Sequence, residues 1–146
     1  MRLFISYETS DGLGLAEIAK SVFERAGHSA WVWHLDGTSG AYMHEEIERE
    51  IRQRDYFLYI ATCSSDASEG QRYERCTALT YGKNLLIVTF DRAHVSSVFN
   101  PLKQDVIPQD DFAGWCGRKA DEIWRQQSLS ATVRVHARED EPVESA

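Results

Sequence analysis

The sequence predicts a three-layer α/β domain: a parallel sheet of about five strands with helices on both faces. Two observations carry this. Short, unbroken apolar runs such as Asp55-Tyr-Phe-Leu-Tyr-Ile-Ala61 and Asn84-Leu-Leu-Ile-Val-Thr-Phe90 suit strands buried on both sides. Stretches with helical apolar spacing lie between such runs, and strands that alternate with helices pair in parallel.

The elements follow in order. Arg2-Leu-Phe-Ile-Ser-Tyr7 predicts a first strand, and Glu8 to Gly14 a loop. Leu15, Ile18, Ala19, Val22, Phe23 and Ala26 recur at i, i+3, i+4, i+7, i+8 and i+11, one face of a helix. Gly27 closes that helix as a C-cap residue. Ser29-Ala-Trp-Val-Trp33 predicts a second strand, and the turn-rich segment His34 to Ala41 a loop. Met43, Ile47 and Ile51 predict a second, solvated helix, followed by the strand at 55–61.

Thr62 to Gly70 is polar and turn-prone. A helix is expected from its end to about Tyr81, closed by Gly82, and then the strand at 84–90. Residues 91–102 suit a short helix before Pro101, and 103–107 a short edge strand ended by Pro108. Phe112, Trp115, Cys116, Ala120, Ile123 and Trp124 form the apolar stripe of a last helix, expected to be core. From residue 128 the chain turns polar and acidic. We expect a domain over 1–127 and a tail over 128–146 with little fold of its own, apart from a stray strand at Val133–His136.

Crossovers must be right-handed, and the expected strand order is 2-1-3-4-5, as in flavodoxin-like folds. The ligand crevice of such a sheet lies beyond the carboxyl ends of strands 1 and 3, where the order reverses. That places the loop after Tyr7, the loop after the third strand and the helix carrying Glu74 together, with 34–41 as one rim.

Composition narrows the function. The chain has 146 residues and a net charge of −7, which repels phosphate backbones and argues against general nucleic-acid binding. Cys63, Cys76 and Cys116 are widely spaced, with no CxxC pair, and His34 and His44 have no ligand partners at metal spacing. No metal and no cofactor are expected. No run of about eighteen apolar residues exists and the chain opens on a strand-like run, so the expected location is the cytoplasm, away from membranes.

Several features together resemble the Toll/interleukin-1 receptor (TIR) domain family over roughly residues 1–127. Phe4-Ile-Ser-Tyr7 resembles its first-strand signature. Trp31-Val-Trp33, Asp36, Gly40, Tyr42, Ile47 and Ile51 resemble its second strand, BB loop and second helix. Ser64 to Leu79 resembles the segment leading into its third helix, where enzymatic members carry a glutamate, here Glu74 in Tyr73-Glu-Arg-Cys76. The tryptophan usual four residues earlier is replaced by Gly70, and Tyr73 stands nearby as an aromatic substitute.

The resemblance implies a three-layer flavodoxin-like TIR fold and an enzyme that consumes NAD as its substrate. Glu74 would be catalytic, and Ser6, Tyr7, Asp36, Gly40 and Tyr73 would contact the substrate. Nicotinamide leaves NAD as a neutral molecule, so one carboxylate that stabilises the oxocarbenium-like ribose suffices in outline. Water or an adenine nitrogen would complete the reaction, giving ADP-ribose or a cyclic isomer. In size the chain resembles small bacterial TIR proteins of antiviral defence, of the Thoeris type. Self-association through TIR surfaces and a separate sensor or effector protein are the implied partners.

Plainer readings stand beside these. Glu74 is also compatible with a solvated helix position, Ser6 with a tight strand end, Tyr7 with packing, Asp36 and Gly40 with turn chemistry, and Arg72 and Arg75 with surface ion pairs rather than phosphate contacts. A non-enzymatic adaptor working through residues 34–42 is the main alternative, favoured by Gly70. A nucleoside deoxyribosyltransferase-like enzyme is the third.

Overall fold

Strand pairing places β1 (Arg2–Ser6) at the centre, between β2 (Ser29–Trp31) and β3 (Tyr56–Ala61). β4 (Asn84–Thr89) pairs with β3, and β5 (Asp105–Val106) with β4. All pairs are parallel, as the alternation of elements predicts, and the order is the expected 2-1-3-4-5. The structure, a computed structural model, describes residues 1–38, 43–91 and 104–139, with side chains to residue 130. The segment suited to a short helix before Pro101 lies outside these from residue 92 on, as does Gly40.

The sheet is buried on both faces because its strands alternate between two cores. Leu3, Ile5, Leu58, Ile60 and Val88 meet α1 (Thr9–Arg25) and α5 (Phe112–Glu139). Phe4, Phe57, Tyr59 and Ile87 meet α3 (Met43–Gln53) and α4 (Glu69–Thr80). On this second face Phe4 stacks on Trp31 at 5.0 Å and on Phe57 at 5.7 Å between ring centroids, tying three neighbouring strands. Every residue of β3 is buried, and each of its larger apolar side chains contributes about 1.5–3 kcal/mol by leaving water.

Three sequence expectations are corrected. The chain does not loop from Glu8 to Gly14; α1 starts at Thr9, with only two residues between it and the end of β1. Gly12 is there for close approach, since a Cβ on it would lie 3.3 Å from the Cβ of Tyr7. β2 stops at Trp31, and Trp33–Asp36 forms a short helix, α2, because Asp36 reaches back to accept the Val32 amide at 2.8 Å. Residues 128–139, including the stretch read as a stray strand, continue α5 rather than leaving it as a tail. The expected end at Gly27 holds: its φ of +90° suits glycine and stops α1. Phe112 and Trp115 are core, but Trp124 is 39% exposed, stacked on His28 and donating to the Ala26 carbonyl at 2.7 Å.

The two early glycines of α1 differ in surroundings, which is testable. A Cβ on Gly14 would meet nothing within 4 Å. Gly14→Ala is therefore expected to stabilise the protein by about 0.5–1 kcal/mol, the helix-interior cost of glycine. Gly12→Ala should fall short of that gain because its methyl presses on Tyr7. Thermal unfolding of both variants checks this, and equal gains would mean that β1 and α1 are not in tight apposition.

Candidate functional site

At the reversal of strand order, where a crevice is predicted, the end of β1 and the loop after β3 meet the first turns of α4. α4 starts where Ser68 caps it, its hydroxyl accepting the Gln71 amide at 3.1 Å. One helical turn later Gln71 and Glu74 share the face turned to the sheet, and both are buried. The Ser6 hydroxyl, fully buried at the last residue of β1, donates to Glu74 Oε1 at 2.9 Å. Gln71 Nε2 donates to the Ile60 carbonyl at 3.1 Å and to Ser6 Oγ at 3.4 Å.

Glu74 is not a solvated helix residue. It is 7% exposed, and burial pushes its carboxyl up from about 4.5 to about 8. The Ser6 hydrogen bond pulls the other way, and the neighbouring Glu8 carboxylate adds to the rise. Burial likewise raises the Tyr7 hydroxyl above its usual value; the hydrogen bond from the His34 amide opposes this, and the nearby Glu74 charge adds to it. That bond, at 3.1 Å, ties the end of β1 to α2.

The loop after β3 is laced to the start of α1 by Asp11. Its carboxylate accepts from Thr62 Oγ1 at 2.6 Å, the Ser64 amide at 3.2 Å and Cys63 Sγ at 3.3 Å. Burial works against its ionisation, but these hydrogen bonds outweigh burial and hold the carboxyl below the usual range. Beside this lacing, at the ends of β3 and β4, a cavity of about 300 Å³ is lined by Asp11, Leu15, Thr62, Phe90 and Asp91 among others. Neither Ser6 nor Glu74 lines it.

The structure thus brings Ser6, Tyr7 and Glu74 together and leaves other expected residues elsewhere. Asp36 is engaged by Lys20 Nζ at 2.9 Å and by the Val32 amide. Tyr73 stacks on His44 with ring centroids 4.7 Å apart and donates to the His44 carbonyl at 3.3 Å, so it braces α4 against α3. Arg75 is buried rather than at the surface: it is 8% exposed, and its charge lies near the Tyr59 hydroxyl. Arg72 is exposed. Gly70 leaves room for a side chain, since a Cβ there would meet only Ser68 Oγ at 3.8 Å. Among the described residues no group of three His, Cys, Asp or Glu is placed to hold a metal, and the three cysteines are free thiols.

Residues 3–125 match the TIR domain family. The chain belongs to that family. Among solved structures it is similar to the TIR domain of the Toll-related receptor TRR-2 from Hydra magnipapillata. Identity there is 16% over 88% of this chain and 95% of the other, with a TM-score of 0.64. It is also similar to the CMP N-glycosidase BcmB of Clostridium botulinum, at 15% identity over 84% of this chain and 99% of the other, with a TM-score of 0.63. At such identities the likeness is one of fold. No curated protein matches the chain. No helix among the described residues is long and apolar enough to cross a membrane.

Two residues of this TIR site escaped the sequence reading, Gln71 and Glu8. The available signal was spacing: 71, 74, 75 and 78 form an i, i+3, i+4, i+7 stripe in which Gln, Glu and Arg stand where a core stripe carries apolar residues.

The buried carboxyl makes stability depend on pH. In the fold Glu74 holds its proton up to about pH 8, whereas the unfolded chain releases it near 4.5. The folded state therefore binds the extra proton in that window. The contribution is fully present below about 4.5 and is lost as pH rises to about 8, by about 1.4 kcal/mol per pH unit at its steepest. Glu74→Gln has no proton to lose, so its melting temperature should decline less than that of wild type between pH 5 and 8. Parallel declines would show that Glu74 ionises freely in the fold.

Proposed function

We propose that this TIR domain is an NAD-consuming enzyme that cleaves the nicotinamide–ribose bond with Glu74 as its catalytic carboxylate. The products would be nicotinamide and either ADP-ribose or a cyclic ADP-ribose isomer, serving as a signal in prokaryotic antiviral defence of the Thoeris type. The observation that carries this reading is the burial of Glu74 at the strand-order reversal, with one carboxyl oxygen held by Ser6.

The chemistry needs little else. The ribose C1′–nitrogen bond breaks and its electron pair goes to the nicotinamide ring nitrogen, which loses its positive charge. The ribose becomes oxocarbenium-like, and a carboxylate in a dry crevice stabilises it far better than in water. Water, or an adenine nitrogen for the cyclic product, attacks C1′, and the proton lost by attacking water passes to Glu74 or solvent. The resting acid must first ionise, and the cationic nicotinamide ring favours that by placing positive charge beside it. NAD binding would then release a proton, and kcat/KM should rise with pH until about 8. Self-association through TIR surfaces, a separate sensor or effector protein, and a cytoplasmic setting complete the proposal.

A second reading is favoured by the same acid. A carboxyl that keeps its proton at neutral pH suits a leaving group that departs only when protonated, such as a neutral pyrimidine base. The fold likeness to a CMP N-glycosidase supports this reading, and a deoxyribosyltransferase-like activity would use the same glutamate. Its kcat/KM would fall above about pH 8 instead of rising towards it.

Incubation of concentrated protein with NAD, and separately with CMP and deoxynucleosides, tests both readings, with products followed by chromatography and mass spectrometry. Wild type should release nicotinamide, and Glu74→Gln should release at least a hundredfold less, about the effect expected for a group stabilising transition-state charge. Release of free base from CMP or deoxynucleosides, with NAD intact, would replace the proposal by the second reading. Intact substrates throughout, together with concentration-dependent assembly, would make the chain an adaptor.

A further inference from the structure

Gln71 is costly where it stands. Its side chain is 1% exposed, and its Oε1 is buried without a hydrogen-bond partner. A buried polar atom left unpaired destabilises a fold, and a Leu or Met on this helix face would avoid that loss. The backbone does not require the amide either, because the Ile60 carbonyl that accepts from Gln71 also accepts from Ser65 Oγ at 3.3 Å.

The amide does set the direction of a hydrogen-bond chain. A carbonyl can only accept, so Ile60 fixes which end of the Gln71 amide faces it: the nitrogen, at 3.1 Å. The same nitrogen faces Ser6 Oγ at 3.4 Å. A serine hydroxyl has one proton, and with an N–H donor on one side it must give that proton away on the other. The acceptor at 2.9 Å is Glu74 Oε1. Any proton carried by Glu74 therefore sits on Oε2, the oxygen that Ser6 does not hold.

We propose that Gln71 is a positioning residue that holds Ser6 as a donor to Glu74 Oε1 and thereby reserves Glu74 Oε2 for the sugar. The inference rests on the catalytic role given to Glu74 above, and it names how that carboxyl is oriented. Without the Gln71 amide, the Ser6 hydroxyl is free to rotate and donate elsewhere. Glu74 then loses a hydrogen bond that favours its charged form, and its carboxyl becomes less well aimed. The ionisable groups facing Glu74 are Glu8, which precedes α1, and Tyr7, at the end of β1; the substitution alters neither.

Gln71→Met removes the amide and keeps the length. The variant should fold with a melting temperature equal to or above that of wild type. Its kcat for NAD cleavage should fall roughly ten- to hundredfold, the effect of a misaimed catalytic group, with KM within about twofold. Carbon-13 NMR of the Glu74 carboxyl should show its titration midpoint displaced to higher pH than in wild type. On a Ser6→Ala background, Gln71→Met should add no further loss, because it acts through that hydroxyl. A folded Gln71→Met variant with unchanged kcat and carboxyl titration would overturn the assignment, as would additive losses or a lowered melting temperature. If wild type leaves NAD intact, the proposed activity fails, while the NMR titration, which needs no substrate, still decides the role of Gln71.

Discussion

Keeping a carboxyl group out of water is the constraint around which this site is arranged. Desolvation alone would make Glu74 a poor tenant of the α4 face, where Ala78 and other neighbours are buried. The Ser6 hydroxyl compensates in part, and it is available only because β1 ends at that residue, beside α4. The position of the hydroxyl depends in turn on the sheet, since β1 is held between β2 and β3 with its side chains shared by two cores. Moving the register by one residue would bring Ile5 or Tyr7 to Glu74 in place of Ser6, because side chains alternate across a strand.

α4 serves two purposes at once. Its buried positions include Thr77 and Ala78 as well as the polar Gln71, Glu74 and Arg75. Tyr73 braces the helix against α3 through His44, and the Ser68 cap sets where it begins. A helix anchored at its start, its flank and its buried face has little freedom to shift Glu74 relative to β1. Such rigidity is what a group needs if it is to act on developing charge without rearranging first. TIR membership is read over residues 3–125, and the buried carboxyl from a single position, so the two are independent observations.

Much of the fold was legible in the sequence. β3 and β4 stand out because uninterrupted apolar runs have little use outside a sheet covered on both sides, and the 2-1-3-4-5 order is the one expected from flavodoxin-like folds. The errors share a cause. Gly12 and Gly14 look like loop residues, yet Gly12 is a contact surface for Tyr7, and that role is visible only once β1 and α1 lie together. Trp33 looks like strand continuation until Asp36 folds back on Val32. Glu74 was singled out by resemblance, whereas its burial was not legible, because Glu is ordinarily exposed on a helix. Gln71 was missed for the same reason: its meaning lies in Ser6 and Ile60, residues far away in the chain.

The link between β1 and α1 consists of Tyr7 and Glu8 alone. Tyr7 is locked by Gly12 on one side and by the His34 amide on the other. This wall of the crevice has no slack, so it cannot lengthen or bend to suit a different molecule. Within this architecture, divergence towards new ligands has to come from the other walls of the crevice. The division resembles a vice with one jaw cast into the bench: the grip is set by the jaw that can be changed.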